Sequence, residues 1–264
     1  DALQRLESVS WVLSAAISVT SGAVYAAGAL FLYSRFAAAT VISTRALGEL
    51  FAVAVICSCI VALASVGIYA LGGVIAGSDY IAASLRFWVG DLIGIAIVTP
   101  FLLVLVTRER FSRPGLESIV QMMVVLTLMA FIFSAPPARQ FQLFYLLFLP
   151  VVWIAVRSGF EAITVALVVI QVALLVLLKV RTASAVDVTS IQACLLVLAF
   201  TGLTAGMLVT ERQRAVNQQR LQQDVQARLQ QLGTMGELTT MLAHELNQPL
   251  MAAGTYTRVA AEAI

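Results

Sequence analysis

The sequence predicts an all-α chain, a polytopic membrane helix bundle that passes into a polar helical tail. Three observations carry this. Of the 264 residues 61% are hydrophobic and 11% charged, with a mean hydropathy of +0.96, whereas a soluble domain carries about 25% charged residues. Seven apolar stretches reach or approach the ~20 residues that a helix needs to cross a bilayer. Ten of the 30 charged residues lie from Glu211 onward, so polarity is concentrated at one end.

A segment in hydrocarbon must satisfy its own backbone polar groups, which makes each stretch a helix. The spans are expected at residues 9–33, 50–71, 87–106, 119–134, 141–156, 162–178 and 191–209. The first two hold no charge; the fifth is short and has Pro150 near its end. Cytoplasmic loops are enriched in Arg and Lys. With the tail after residue 209 in the cytoplasm, Arg35, Arg45, Arg108, Arg110, Arg113 and Arg157 fall inside, against Arg139, Lys179 and Arg181 outside, with Asp79 in the outer 72–80 loop. Residue 1 then lies outside. The chain opens on Asp1 with no signal peptide, so it reads as a piece of a longer product with at least one further span upstream.

Polar groups within spans are candidate functional positions, because a charge in hydrocarbon is costly. Asp91 lies between Gly90 and Gly94, a spacing that lets a second helix approach closely. It reads either as a packing clamp bonded to a neighbouring hydroxyl or backbone group, or as a ligand or proton site with Trp88 beside it. Gln171 reads as an interhelical hydrogen-bond donor. Trp88 and Trp153 also suit interfacial anchoring, Trp153 the more so for its closeness to Arg157. Cys57 and Cys59 are two apart on one helix and point to different sides, so with Cys194 they form no metal or disulfide framework. No transporter-like internal repeat is visible, and a formal charge of +2 is too small for a nucleic-acid partner.

After residue 209 the composition changes to a Gln-rich helix without proline or glycine up to Leu232. Leu221, Val225, Arg228 and Leu232, continued by sevens through Met235, Thr239, Leu242 and Leu246, form a heptad seam weakened at Arg228 and Thr239. Such a seam suits a parallel homodimer that shifts between packings. Gly202 and Gly206 in the last span allow close approach, either of two copies or within one bundle. Gly233 and Gly236 each cost about 1 kcal/mol in a helix interior and are expected to act as a flex point. With Leu242 and Leu246 facing inward, His244, the single histidine, falls on the outer face. Glu245 follows it and can bond one ring nitrogen, accepting its proton while the other attacks an electrophile. Pro249 offers no N–H to the Glu245 carbonyl and loosens the helix one turn below. A zinc protease would need a second histidine where Gln248 stands, so no metal is expected.

The run Met241-Leu242-Ala243-His244-Glu245-Leu246-Asn247-Gln248-Pro249-Leu250 resembles the phosphoacceptor box of bacterial sensor histidine kinases. The resemblance implies His244 as phosphoacceptor, Gln248 as the amide that orients water for dephosphorylating a response regulator, and Asn247 as a contact to the nucleotide domain or the partner. Phe87-Trp88-Val89-Gly90-Asp91, Thr99-Pro100-Phe101-Leu102-Leu103 and Leu149-Pro150-Val151-Val152-Trp153-Ile154-Ala155-Val156-Arg157-Ser158-Gly159 resemble the membrane-associated sensor domain of the first type, MASE, over roughly residues 40–210. Such domains have about eight spans and are fused to histidine kinases or cyclic-dinucleotide enzymes; their Trp-Pro-Pro element is not found here.

Together these readings imply three parts: a transmembrane sensor domain at 1–210, a coiled-coil signalling helix at 211–232, and at 233–264 the first helix of a dimeric histidine-kinase hairpin. The implied protein is a multi-pass sensor kinase of the bacterial inner membrane. Its tail is cytoplasmic, and its partners are a second copy, a response regulator, membrane lipid and a small-molecule ligand or membrane receptor. Mg-ATP would be bound by a domain outside this chain. The alternative is a transporter or receptor-docking scaffold coupled to a kinase output.

Overall fold

A computed structural model describes residues 2–36, 43–107, 115–180 and 188–262, and every regular element among them is helical. The chain divides into two compact units, Asp1–Glu211 and Arg212–Ile264. The loops holding Arg108, Arg110, Arg113 and Arg181, and the side chains of Lys179 and Thr239, lie outside the described residues.

The first unit begins with α1 (Ala2–Phe36) and α2 (Thr44–Leu71). Ser43 starts α2, its hydroxyl accepting from the Ala46 amide at 3.2 Å. Gly73, at φ 73°, ends it. The Val74 amide returns to the Tyr69 carbonyl and the Gly73 amide to Ala70, a double bond pattern that needs a left-handed residue at this point. A single 3₁₀ turn, Gly77–Asp79, leads into α3 (Tyr80–Thr107), which carries Pro100 inside it. Then come α4 (Leu116–Ser134) and the short α5 (Pro137–Phe144). Between them Ala135 and Pro136 are extended, ψ 158° and 144°, because a residue preceding proline is barred from the helical region. A 3₁₀ turn, Tyr145–Leu147, joins α5 to α6 (Phe148–Val180). The last helix is α7 (Val188–Glu262).

Six helical stretches among the described residues are long and apolar enough to cross a membrane, not the seven separate spans expected. The difference lies in α6. The expected spans 141–156 and 162–178 belong to one stretch, Arg139–Leu177, interrupted by Gly159 at φ 75° and ψ −163°. A Cβ placed on Gly202 would lie 2.9 Å from Val151 Cγ1 and 3.2 Å from Ile163 Cγ1. In a straight helix those residues would stand about 18 Å apart along the axis, at 1.5 Å each. The chain therefore reverses at Gly159, and α6 is a hairpin of two arms, Val151 on the first and Ile163 on the second. Both expected stretches are present, joined by one residue instead of a loop.

The core gathers around the second arm and α7. Ile163, Ala166, Leu167 and Ile170 are fully buried with Leu195, Leu198, Ala199 and Leu203, and Phe51 of α2 meets Phe200 at a ring separation of 5.0 Å. In lipid, helices associate through close van der Waals packing and not through exclusion of water, so glycine positions matter. Gly202 and Gly206 face Val151, Phe160 and Ile163 of the same chain, which settles in favour of packing within one bundle. The Gly90/Gly94 pair behaves otherwise. The nearest atom to a Gly90 Cβ would be Gln192 Nε2 at 3.9 Å, and Gly94 has none within 4 Å, so no helix backbone presses there. The outermost helix is α1, with 6% of its apolar window buried against 28–44% for the others.

Candidate functional site

In the second unit α7 carries the histidine box. His244, Glu245, Asn247 and Gln248 are all exposed and helical. At 3.6 residues per turn His244, Asn247 and Gln248 share one face, and Glu245 stands about 100° around from His244. That face leaves an imidazole open to an incoming electrophile, with an amide one turn away. Along the same helix Leu221, Val225, Leu232, Met235, Leu242 and Leu246 are 50–66% exposed, an apolar seam. Gly233, Gly236 and Pro249 lie inside α7, which runs through all three. Proline removes one intrahelical donor, so the Glu245 carbonyl lacks its usual partner without the helix breaking.

In the first unit Asp91 and Trp88 lie one turn apart on α3 and bond different neighbours. The Tyr25 hydroxyl of α1 donates to Asp91 Oδ2, so Asp91 has the hydroxyl partner expected of a packing clamp. The Trp88 indole N–H donates to the Val55 carbonyl of α2 at 3.4 Å, a carbonyl that also accepts from Ser58. Asp91, Trp88 and Tyr25 are each half-buried. Tyr25 went unnoticed in the sequence because one tyrosine in an apolar run reads as core; the signal was that a membrane carboxylate needs a donor from another span. Gln171 has its side-chain oxygen buried without a partner. Trp153 is exposed at 41% and lines an apolar groove of about 410 Å³ with Val124, Leu128, Leu146, Leu149 and Pro150. The cysteines are free, and no cluster among the described residues could hold a metal ion.

A third set of contacts was not foreseen. It gathers where α2, α4 and the second arm of α6 begin and where α7 leaves the first unit. Arg157 Nε donates to Glu117 Oε1 at 2.7 Å, and the Ser158 hydroxyl to Gln121 Oε1 at 3.0 Å. The Phe160 amide donates to Thr210 Oγ1 at 2.9 Å, and that hydroxyl donates to the Gly206 carbonyl at 2.8 Å. The Thr44 amide donates to Glu211 Oε1 at 2.6 Å, and the Thr44 hydroxyl to Glu211 Oε2. Glu49 receives both Arg45, at 3.2 Å, and Arg35, at 3.5 Å. The first amides of a helix have no partner within it; here side chains from α7 supply two of them. These contacts form a polar collar at one end of the bundle.

A family model, MASE1, matches residues 2–213. No curated protein and no solved structure matches the chain.

Proposed function

The chain belongs to the MASE1 family of multi-pass membrane sensor domains, and from that membership we propose that it is the sensing and phosphoacceptor portion of a two-component histidine kinase. One observation carries the reading: α7, whose apolar part packs in the bundle, also carries the His244 box with the imidazole exposed. MASE1 domains occur typically with histidine kinases or diguanylate cyclases, and the residues from His244 to Leu250 favour the first.

In this reading the tail is cytoplasmic, in the inner membrane of a bacterium, and the seam from Leu221 to Leu246 pairs two copies in parallel. His244 attacks the γ-phosphorus of Mg-ATP held by a separate domain. A P–N bond forms, the bond to ADP breaks, and Glu245 accepts the proton from the other ring nitrogen. Phosphoryl transfer asks mainly for positioning and charge stabilisation, so an exposed imidazole with few neighbours is sufficient on the acceptor side. The phosphoryl group then passes to an aspartate of a response regulator, and Gln248 orients the water that later attacks that acyl phosphate, releasing inorganic phosphate and the free aspartate. Gly233, Gly236 and Pro249 give the helix its compliance on either side of the box.

The test uses the full-length protein in membranes with labelled Mg-ATP. Acid-labile, alkali-stable label is expected on the wild type and none on His244→Gln. Undiminished label on the variant excludes His244 as the acceptor.

A further inference from the structure

We infer that Thr210 and Glu211 form a latch that fixes the register of α7 where it leaves the bundle, and that a stimulus acts by opening it. The consequence for output rests on the kinase reading; the latch itself does not.

The two residues are consecutive on α7, about 100° apart around the helix, and each caps the start of a different helix. Thr210 accepts from the Phe160 amide, the first residue of the second arm of α6, while bonding back to its own helix at Gly206. Glu211 holds both the amide and the hydroxyl of Thr44, the first residue of α2. The second arm has no local cap of its own, since the residue before Phe160 is Gly159.

In the turn just below this point the packing face of α7 is glycine. Gly202 and Gly206 lie one turn apart with Ile163 against both: a Cβ would come within 3.2 Å of Ile163 Cγ1 at the first and 2.8 Å of Ile163 Cγ2 at the second. At those two positions α7 offers Ile163 no side chain, and the interlocking apolar contacts come from Leu195, Leu198 and Leu203 further along the helix. The polar contacts above the two glycines are the specific part there. Sliding α7 by one residue displaces it about 1.5 Å, which stretches a 2.9 Å bond to about 3.3–4.4 Å according to its direction and so weakens or breaks it. Because Thr210 and Glu211 are consecutive on one rigid helix, a shift of α7 strains both caps at once.

Location makes opening feasible. Thr210 and Glu211 stand half-buried where the apolar part of α7 gives way to the polar tail. Freed amide and carboxylate groups can bond water there, which is denied to groups at mid-bilayer. The Tyr25–Asp91 bond, deeper in the spans, has no such alternative and is suited to holding instead of switching.

The test places full-length protein in lipid nanodiscs with Cys57, Cys59 and Cys194 replaced by alanine. Nitroxides on exposed Leu208 of α7 and Val120 of α4 report the setting of α7; a control pair sits on exposed Ile56 of α2 and Leu85 of α3. Combining Thr210→Val with Glu211→Ala is expected to move the α7–α4 distance by about 1.5 Å for each residue of slide, and to leave the control pair unchanged. Thr210→Ser keeps the hydroxyl and is expected to match the wild type. An unmoved α7 pair overturns the latch, and so does equal movement of the control pair, which would mean general loosening. In the same samples with Mg-ATP, the open variant should change His244 labelling several-fold relative to Thr210→Ser. A distance shift with no label on any variant would leave the latch standing and remove the kinase reading.

Discussion

At Gly159 the backbone stands at φ 75°, and a Cβ would meet Thr210 Oγ1 at 2.8 Å. Two penalties coincide: a left-handed conformation that L side chains resist, and displacement of the hydroxyl that caps the next residue. Gly159→Ala is expected to destabilise the bundle by about 1–3 kcal/mol, read as a lowered Tm in detergent; an unchanged Tm would mean that the turn is not built this way. The sequence shows Arg157-Ser158-Gly159 as a polar break between apolar runs, so the place of the reversal was legible and its tightness was not. The same holds for Asp91. Its type and depth mark it as a group needing a partner, yet nothing local names Tyr25, 66 residues earlier.

Helices were the legible level, because apolar length alone decides which segments cross a bilayer. Six apolar helices follow from composition, and the seventh expected span merges into its neighbour because a single glycine is too short to count as a loop. What could not be read was the collar, whose Thr44–Glu211 pairing joins residues 167 apart. On α7 the two glycines before the box are the element-level test. Gly233→Ala with Gly236→Ala should stabilise the helix there by about 1 kcal/mol per site, seen as slower amide exchange across residues 230–240. On the proposed kinase reading, a helix that flexes at this point during signalling would make the double variant lose most of the stimulus dependence of phosphorylation; unaltered exchange would show that no opening occurs there.

For the bundle as a whole, the contacts determine which ends lie together. Arg35, Thr44, Glu117, Arg157 and Glu211 are tied by the collar or lie beside it, and Gly77–Asp79 joins the opposite ends of α2 and α3. Cysteines introduced as Arg45→Cys and Arg157→Cys should therefore react with a membrane-impermeant maleimide from the same side, and Ser78→Cys from the other. Protection of Arg157→Cys from both sides would indicate a straight α6 with that position in hydrocarbon. The positive-inside expectation for Arg35, Arg45 and Arg157 agrees with one shared face, and the sequence carried that much without any tertiary information.

The one-residue reversal in α6 also bears on how the chain is made. With no loop between them, the two arms are expected to enter lipid as one helical hairpin. Gly159 is then a position where a substitution is felt during synthesis, before there is any signal to receive.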